Sequence, residues 1–326
     1  MLQPRPAAPF QIREAATAVS DKPNCVVILS TKSAGSSALQ NLICECTDGR
    51  HVEFTRHVQH ETLYWTKAAS ILGREQVKVP DSEVPIPPRK ALHDLRTLLA
   101  ANLADFDLPS DPEALIFEGW RRLCVRFGPM FVEKSPHHLH QWAALELLIE
   151  AMRRQPDIDF RFLGLVRNPM DVLYSMWRRW RADPSRHQHH WRLAYENLRR
   201  FEQEVGSRLL VVRYEDLAVD GNAPRQLLTF LGRPVTQNLE KHIHANSLQR
   251  WKADRWFGFQ LHQDVERLAT SFGYTSADLH NRSFPLWEPY RILSHLGPRS
   301  LSRRWRVVRR HVRNSLLPAA EAWANR

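Results

Sequence analysis

The chain has 326 residues, 43% hydrophobic and 10% aromatic, with a formal net charge of +11. Such a composition supplies one large core and excludes an intrinsically disordered or low-complexity protein. No apolar run approaches the roughly 20 residues of a membrane-spanning helix, and the first 24 residues hold acids and prolines where a signal peptide requires an apolar stretch.

Residues 1–23 read as a flexible arm. The apolar run at 25–30 predicts a buried strand, and Lys32-Ser33-Ala34-Gly35-Ser36-Ser37 then forms a small-residue turn that opens a helix. A turn of this kind aims backbone N–H groups and the positive end of a helix dipole at an anion. It differs from a nucleotide-triphosphate loop, which places Lys directly after its last Gly, beside a Ser or Thr that holds magnesium. Here Ser36 follows Gly35, and the lysine lies upstream at position 32. Next comes His57-Val58-Gln59-His60-Glu61-Thr62-Leu63-Tyr64-Trp65, a stretch with one carboxylate and two imidazoles suited to proton transfer. A zinc-protease reading of His60-Glu61 fails, because Tyr64 stands where the second histidine belongs.

An insert at 76–112 starts with a Pro-rich loop, Pro80 to Pro88, and continues into a helix near 89–104. Strands follow at 129–133, 160–166 and 208–213, with helical periodicity at 138–153 and 190–205. Strands alternating with helices predict an α/β, three-layer fold: a central parallel sheet flanked by helices on both faces. Ligands of such sheets bind beyond the carboxyl ends of the strands. Those ends carry Lys32, then Lys134 in Glu133-Lys134-Ser135-Pro136, then Arg167 in Arg167-Asn168-Pro169 with Ser175 eight residues on, then Tyr214-Glu215-Asp216-Leu217. Three cations converging on one sheet edge suggest a ligand with two anionic ends. The acids after the fourth strand either orient these cations or cap the next helix.

Taken together these motifs resemble the sulfotransferases that use 3′-phosphoadenosine 5′-phosphosulfate (PAPS), a P-loop-like fold. The turn at 32–39 is similar to their 5′-phosphosulfate loop, and Arg167 with Ser175 to their 3′-phosphate motif. Glu133-Lys134-Ser135-Pro136 resembles the carbohydrate branch, and Arg250-Trp251-Lys252 and Phe272-Gly273-Tyr274 extend the likeness over roughly 25–275. The resemblance implies PAPS as co-substrate without a metal, held by Ser33, Ala34, Gly35, Ser36, Ser37, Arg167 and Ser175, with Arg250 and Lys252 closing over the nucleotide. It implies Lys32 and Lys134 at the bridging oxygen. It also implies Glu61 as the catalytic base, as in heparan-type members; His57 and His60 are the alternative bases, since a histidine serves in the small-molecule branch. One departure stands out: Ser33 and Ala34 both separate Lys32 from Gly35, where the family has one residue. Either the turn bulges to bring Lys32 back, or another cation takes its place.

The expected organisation is the arm at 1–23, a sulfotransferase domain at 24–295, and a basic amphipathic tail at 296–326. Seven arginines fall within 299–313; on a helix they leave one apolar stripe, for docking on the body or for peripheral contact with a membrane. Without that tail the chain is only mildly basic, so nucleic acid is not an expected partner. The clusters His137, His138, His140 and His187, His189, His190 read as surface or acceptor-cleft residues. With four cysteines, and Cys44 and Cys46 too close for the usual zinc or redox spacings, the expected compartment is the cytoplasm. The expected acceptor is a hydroxyl, on a carbohydrate, glycolipid or other small molecule. Two rival functions are a magnesium-dependent phosphotransferase and a catalytically inert basic module.

Overall fold

A computed structural model describes residues 22–234, 243–254 and 257–281. The basic stretch 299–313 lies outside them. In chain order the elements are β1 (Asn24–Leu29), α1 (Ser36–Thr47), α2 (Tyr64–Ile71), α3 (Pro88–Asn102), α4 (Pro112–Arg126), β2 (Met130–Lys134), α5 (Trp142–Arg154), β3 (Asp159–Val166), α6 (Pro169–Trp180), α7 (Pro184–Val205), β4 (Leu209–Arg213), α8 (Tyr214–Val219), α9 (Ala223–Phe230), α10 (Gln263–Ser271) and α11 (Ser276–Leu279). All four strands lie within a residue of the positions expected from the β-branched runs.

The strands form one parallel sheet in the order β2-β1-β3-β4. From β1 the chain moves to one side to make β2, then returns across β1 to make β3. The strand order therefore reverses between β1 and β3, which is where a crevice opens in such sheets. The turn after β1 and the Arg167 turn after β3 flank this point.

Side chains alternate between two cores, as a period of two requires. Cys25, Val27, Leu29, Phe131, Phe160 and Phe162 point to the face covered by α2 to α7 and α10. Val26, Ile28, Met130, Val132, Leu163 and Leu165 point to the face covered by α1, α8 and α9. Three of the helices start on the same local device. Asp111, Asn168 and Asp183 each accept a backbone N–H with the side chain, at 2.7, 2.8 and 3.1 Å, and each is followed by a proline at the first helical position.

Tryptophan rings build the larger core. Trp65 and Trp120 lie 4.8 Å apart between centroids, and Trp120 meets Phe131 edge-on at 5.4 Å. Trp177, Trp191 and Trp251 are buried as well, whereas Trp180 is exposed. No helix among the described residues is long and apolar enough to cross a membrane.

Candidate active site

The turn after β1 closes by a hydrogen bond from the Ala34 N–H to the Thr31 carbonyl, 3.2 Å. Ser33 sits inside this turn at φ +64°. The extra residue of the loop is thus absorbed as a left-handed turn residue, and Ala34 turns its methyl fully into the core beneath α1. Gly35 follows at φ +98° and caps α1. Gly35, Ser36, Ser37 and Ala38 supply the N–H groups that have no acceptor within α1, so the helix start presents donors and a partial positive charge.

Gly35 is needed for space as well as for its backbone angle. A Cβ there would lie 2.4 Å from the ring of Tyr214. The same ring carries the guanidinium of Arg167, 4.5 Å from its centroid. Arg167 donates from Nη1 to the Ser33 carbonyl at 3.0 Å, and from Nη2 to the Ser247 carbonyl and hydroxyl, both at 3.1 Å. Its Nε is buried without a hydrogen-bond partner, and so is the hydroxyl of Ser33. Two orphaned polar atoms beside an open helix start fit an anionic ligand. Arg167 acts on Asp171 by charge and makes no hydrogen bond to it; the Asp171 carboxyl accepts the Gln249 N–H at 2.8 Å. Glu215 accepts the Asn168 N–H at 3.0 Å and the Tyr274 hydroxyl at 2.7 Å, which sets the Arg167-Asn168 turn; Asp216 pairs with Arg213. Ser175 is half-buried on α6, about 9 Å along the helix from Pro169.

Lys134 ends β2 on the face toward α1. Its fully buried ammonium donates to the Ser37 hydroxyl at 3.0 Å and to Glu61 Oε1 at 3.2 Å. Ser37 in turn donates to the Gln59 side chain at 2.8 Å. Burial pulls the Lys134 pKa down, and Glu61 opposes that shift. The two histidines near Glu61 are turned to other partners. His57 lies 3.6 Å from Glu83 and is pushed down to about 4, by burial first and then by Lys67. His60 stacks on His51 with centroids 3.8 Å apart, and burial together with His51 lowers it. Of the three sequence-level bases, Glu61 is the one bonded into the group at the helix start.

The Sulfotransferase family profile matches residues 23–237, about two thirds of the chain. This chain belongs to the sulfotransferase family. Among solved structures, this sulfotransferase is similar to the sulfotransferase domain of the Synechococcus PCC 7002 olefin synthase, at 17% identity and a TM-score of 0.50 over 81% of this chain and 99% of that one. The sulfotransferase domain of the curacin biosynthetic pathway matches at 18% identity and a TM-score of 0.48, over 78% and 99%. At 17% identity the likeness to the olefin synthase domain concerns the fold. No curated protein sequence matches. Membership decides between the transferable groups: this is a sulfuryl-transfer enzyme, and the phosphotransferase reading lapses.

Other expected residues of the sulfotransferase have different partners. Lys32 places its Nζ 3.5 Å from the Asp81 carbonyl, at the Pro-rich loop. Arg250 is exposed, and the Lys252 ammonium donates to Gln249 Oε1 at 3.0 Å and the Ala277 carbonyl at 2.8 Å. The histidine clusters differ from a surface reading. His137, His138, His140 and His187 are all buried, with only His189 exposed and His190 half-buried. Burial drives the pKa of His140 down to about 3 and that of His190 to about 4, so both are neutral. Among the described residues no group of three His, Cys, Asp or Glu is placed to hold a metal ion. Ser247 is the contributor that motif reading did not single out, and Tyr214 stood in the motif after β4 without a role of its own. Tyr214 had one signal, its place directly after a strand; Ser247 had none.

Proposed function

We propose that the enzyme moves the sulfuryl group of PAPS to an acceptor hydroxyl with Glu61 as general base. The observation that carries this reading is the chain Glu61–Lys134–Ser37 at the start of α1. It sets a carboxylate, a buried cation and a hydroxyl against a row of backbone donors. The helix start and the Ser36 and Ser37 hydroxyls would hold the 5′-phosphosulfate. Arg167, supported by Tyr214, would hold the 3′-phosphate together with Ser175.

In the transfer step the acceptor oxygen bonds to sulfur, the bond from sulfur to the 5′-phosphate breaks, and the acceptor proton passes to Glu61. Lys134 and the α1 donors offset the charge that gathers on the departing phosphate oxygen. Lys32 is a second cation for that charge, on a side chain now directed to Asp81. Positive groups of this kind make a metal unnecessary in the proposal. The acceptor class is a small-molecule or glycan hydroxyl. The buried tryptophans lend the carbohydrate branch no support, since they fill the core.

The test uses PAPS labelled in the sulfuryl group with a panel of glycans, glycolipids and phenols. Glu61→Gln is expected to retain affinity for adenosine 3′,5′-bisphosphate and to lose 10²–10⁴-fold in kcat, the range for a positioned base. Arg167→Ala is expected to lose the nucleotide. A Glu61→Gln enzyme with near wild-type turnover refutes the base, and unchanged nucleotide affinity in Arg167→Ala refutes the donor site.

A further inference from the structure

Glu133 is a fully buried acid that the proposed chemistry does not use. It neighbours Lys134 on β2 and so points to the opposite face of the sheet, the one lined by Val27 and Phe131. A carboxylate in such surroundings is costly unless it is bonded, and an apolar residue would fill the site without that cost. Its partners all lead to one place. Glu133 Oε1 accepts from the Thr62 hydroxyl at 2.7 Å and from the Ser135 hydroxyl at 2.6 Å, and His138 Nε2 lies 3.5 Å away. Burial acts to raise the Glu133 pKa, but His138, Ser135 and Thr62 outweigh it and hold the group below its usual range, as a carboxylate.

The Ser135 hydroxyl, donating to Glu133, accepts the N–H groups of Thr62 at 3.2 Å and of Leu63 at 2.9 Å. Lys67 donates to the Thr62 carbonyl at 2.7 Å, and His138 Nδ1 is 2.9 Å from the Thr66 hydroxyl. Every polar group of Thr62 is therefore held, and Thr62 is the residue after Glu61. The backbone on both sides is strained: Gln59, His60 and Leu63 have φ of +61°, +58° and +52°. Residues in that region persist only where their surroundings fix them.

We propose that Glu133, Ser135 and Thr62, with His138, are positioning residues: they clamp the strained 59–63 loop from beneath the sheet so that Glu61 meets Lys134 above it. On this reading Glu133 and Lys134 serve one reaction from two faces of a single strand, Lys134 at the reacting group and Glu133 behind the base. The inference rests on Glu61 being that base.

The experiment compares Ser135→Ala with Ser135→Thr, and Thr62→Val with Thr62→Ser, using labelled PAPS and whichever panel hydroxyl the wild type turns over fastest. Ser135→Ala and Thr62→Val are expected to lose ten- to a hundredfold in kcat. Their KM for PAPS and affinity for adenosine 3′,5′-bisphosphate should stay within about twofold of wild type. The hydroxyl-keeping partner, Thr62→Ser in particular, is expected to recover most of the rate. Placed on Glu61→Gln, Ser135→Ala should slow the enzyme no further, since both act through one carboxylate. Wild-type kcat in Ser135→Ala and Thr62→Val overturns the proposal, as does nucleotide affinity falling in step with kcat, or losses that multiply in the double variant. If Glu61→Gln alone keeps its turnover, the base assignment fails instead, whatever the clamp variants do.

Discussion

The ring of Tyr214 is in contact with two binding elements. Gly35 packs against it and the Arg167 guanidinium lies 4.5 Å from its centroid, so the α1 start and the cation are both located against one side chain. Gly35→Ala is expected to meet both obstacles, a left-handed φ and a methyl inside the ring. The strain terms suggest a loss of about 1–3 kcal/mol in stability and weaker nucleotide binding. Urea unfolding and calorimetric titration with adenosine 3′,5′-bisphosphate would measure them; an unaltered variant contradicts the close contact at Tyr214. At this scale the sequence showed residue types well and directions poorly. Gly35, Arg167, Lys134 and Glu61 were legible because each follows a strand or stands beside an unusual neighbour. The aim of Lys32 toward Asp81 was not, because it depends on a loop 49 residues away. The burial of the histidines depends likewise on how α5 and α7 pack.

Among the elements, the four strands were the most legible part, since a sheet buried on both faces demands continuous β-branched and aromatic runs. The loop that carries Glu61 was the least, having no periodicity to betray it. Its anchoring is tertiary. At the end of α3, Asn102 Oδ1 accepts the N–H groups of Glu53 at 2.9 Å and Phe54 at 3.2 Å, while its Nδ2 donates to the Phe54 and Leu98 carbonyls, both at 2.8 Å. Asn102→Ala is expected to remove these four hydrogen bonds, three of them to residues 53 and 54 on the approach to the 57–63 segment. It should cost about 1–3 kcal/mol of stability, by the penalty for buried groups left unpaired. Faster hydrogen exchange at residues 53 and 54, with little change in the sheet, is the accompanying signature; exchange unchanged there would refute the anchor.

For the whole molecule, the crevice combines the ends of β1, β2 and β3, the start of α8 and the segment 243–254, and its electrostatics reach global stability through Asp171. Burial pushes the Asp171 carboxyl up to about 7; Arg167 opposes the shift and Glu215 adds to it. The folded protein thus keeps a proton that an unfolded aspartate gives up near pH 4. This contribution to stability is complete below about pH 4 and is lost as the pH rises to about 7, a change of up to about 4 kcal/mol for one proton. Asp171→Asn is expected to flatten that slope in urea titrations run from pH 4 to 8. A variant that keeps the wild-type slope would show that other groups carry it.

The alternation along β2 has a consequence for engineering. Adding or deleting one residue inside this strand would trade the places of its last two side chains, swinging the ammonium under the sheet and lifting the acid toward the start of α1. A cradle for negative charge would become a repeller. Length changes are therefore best confined to the turn before Met130, where the strand's frame is not yet set.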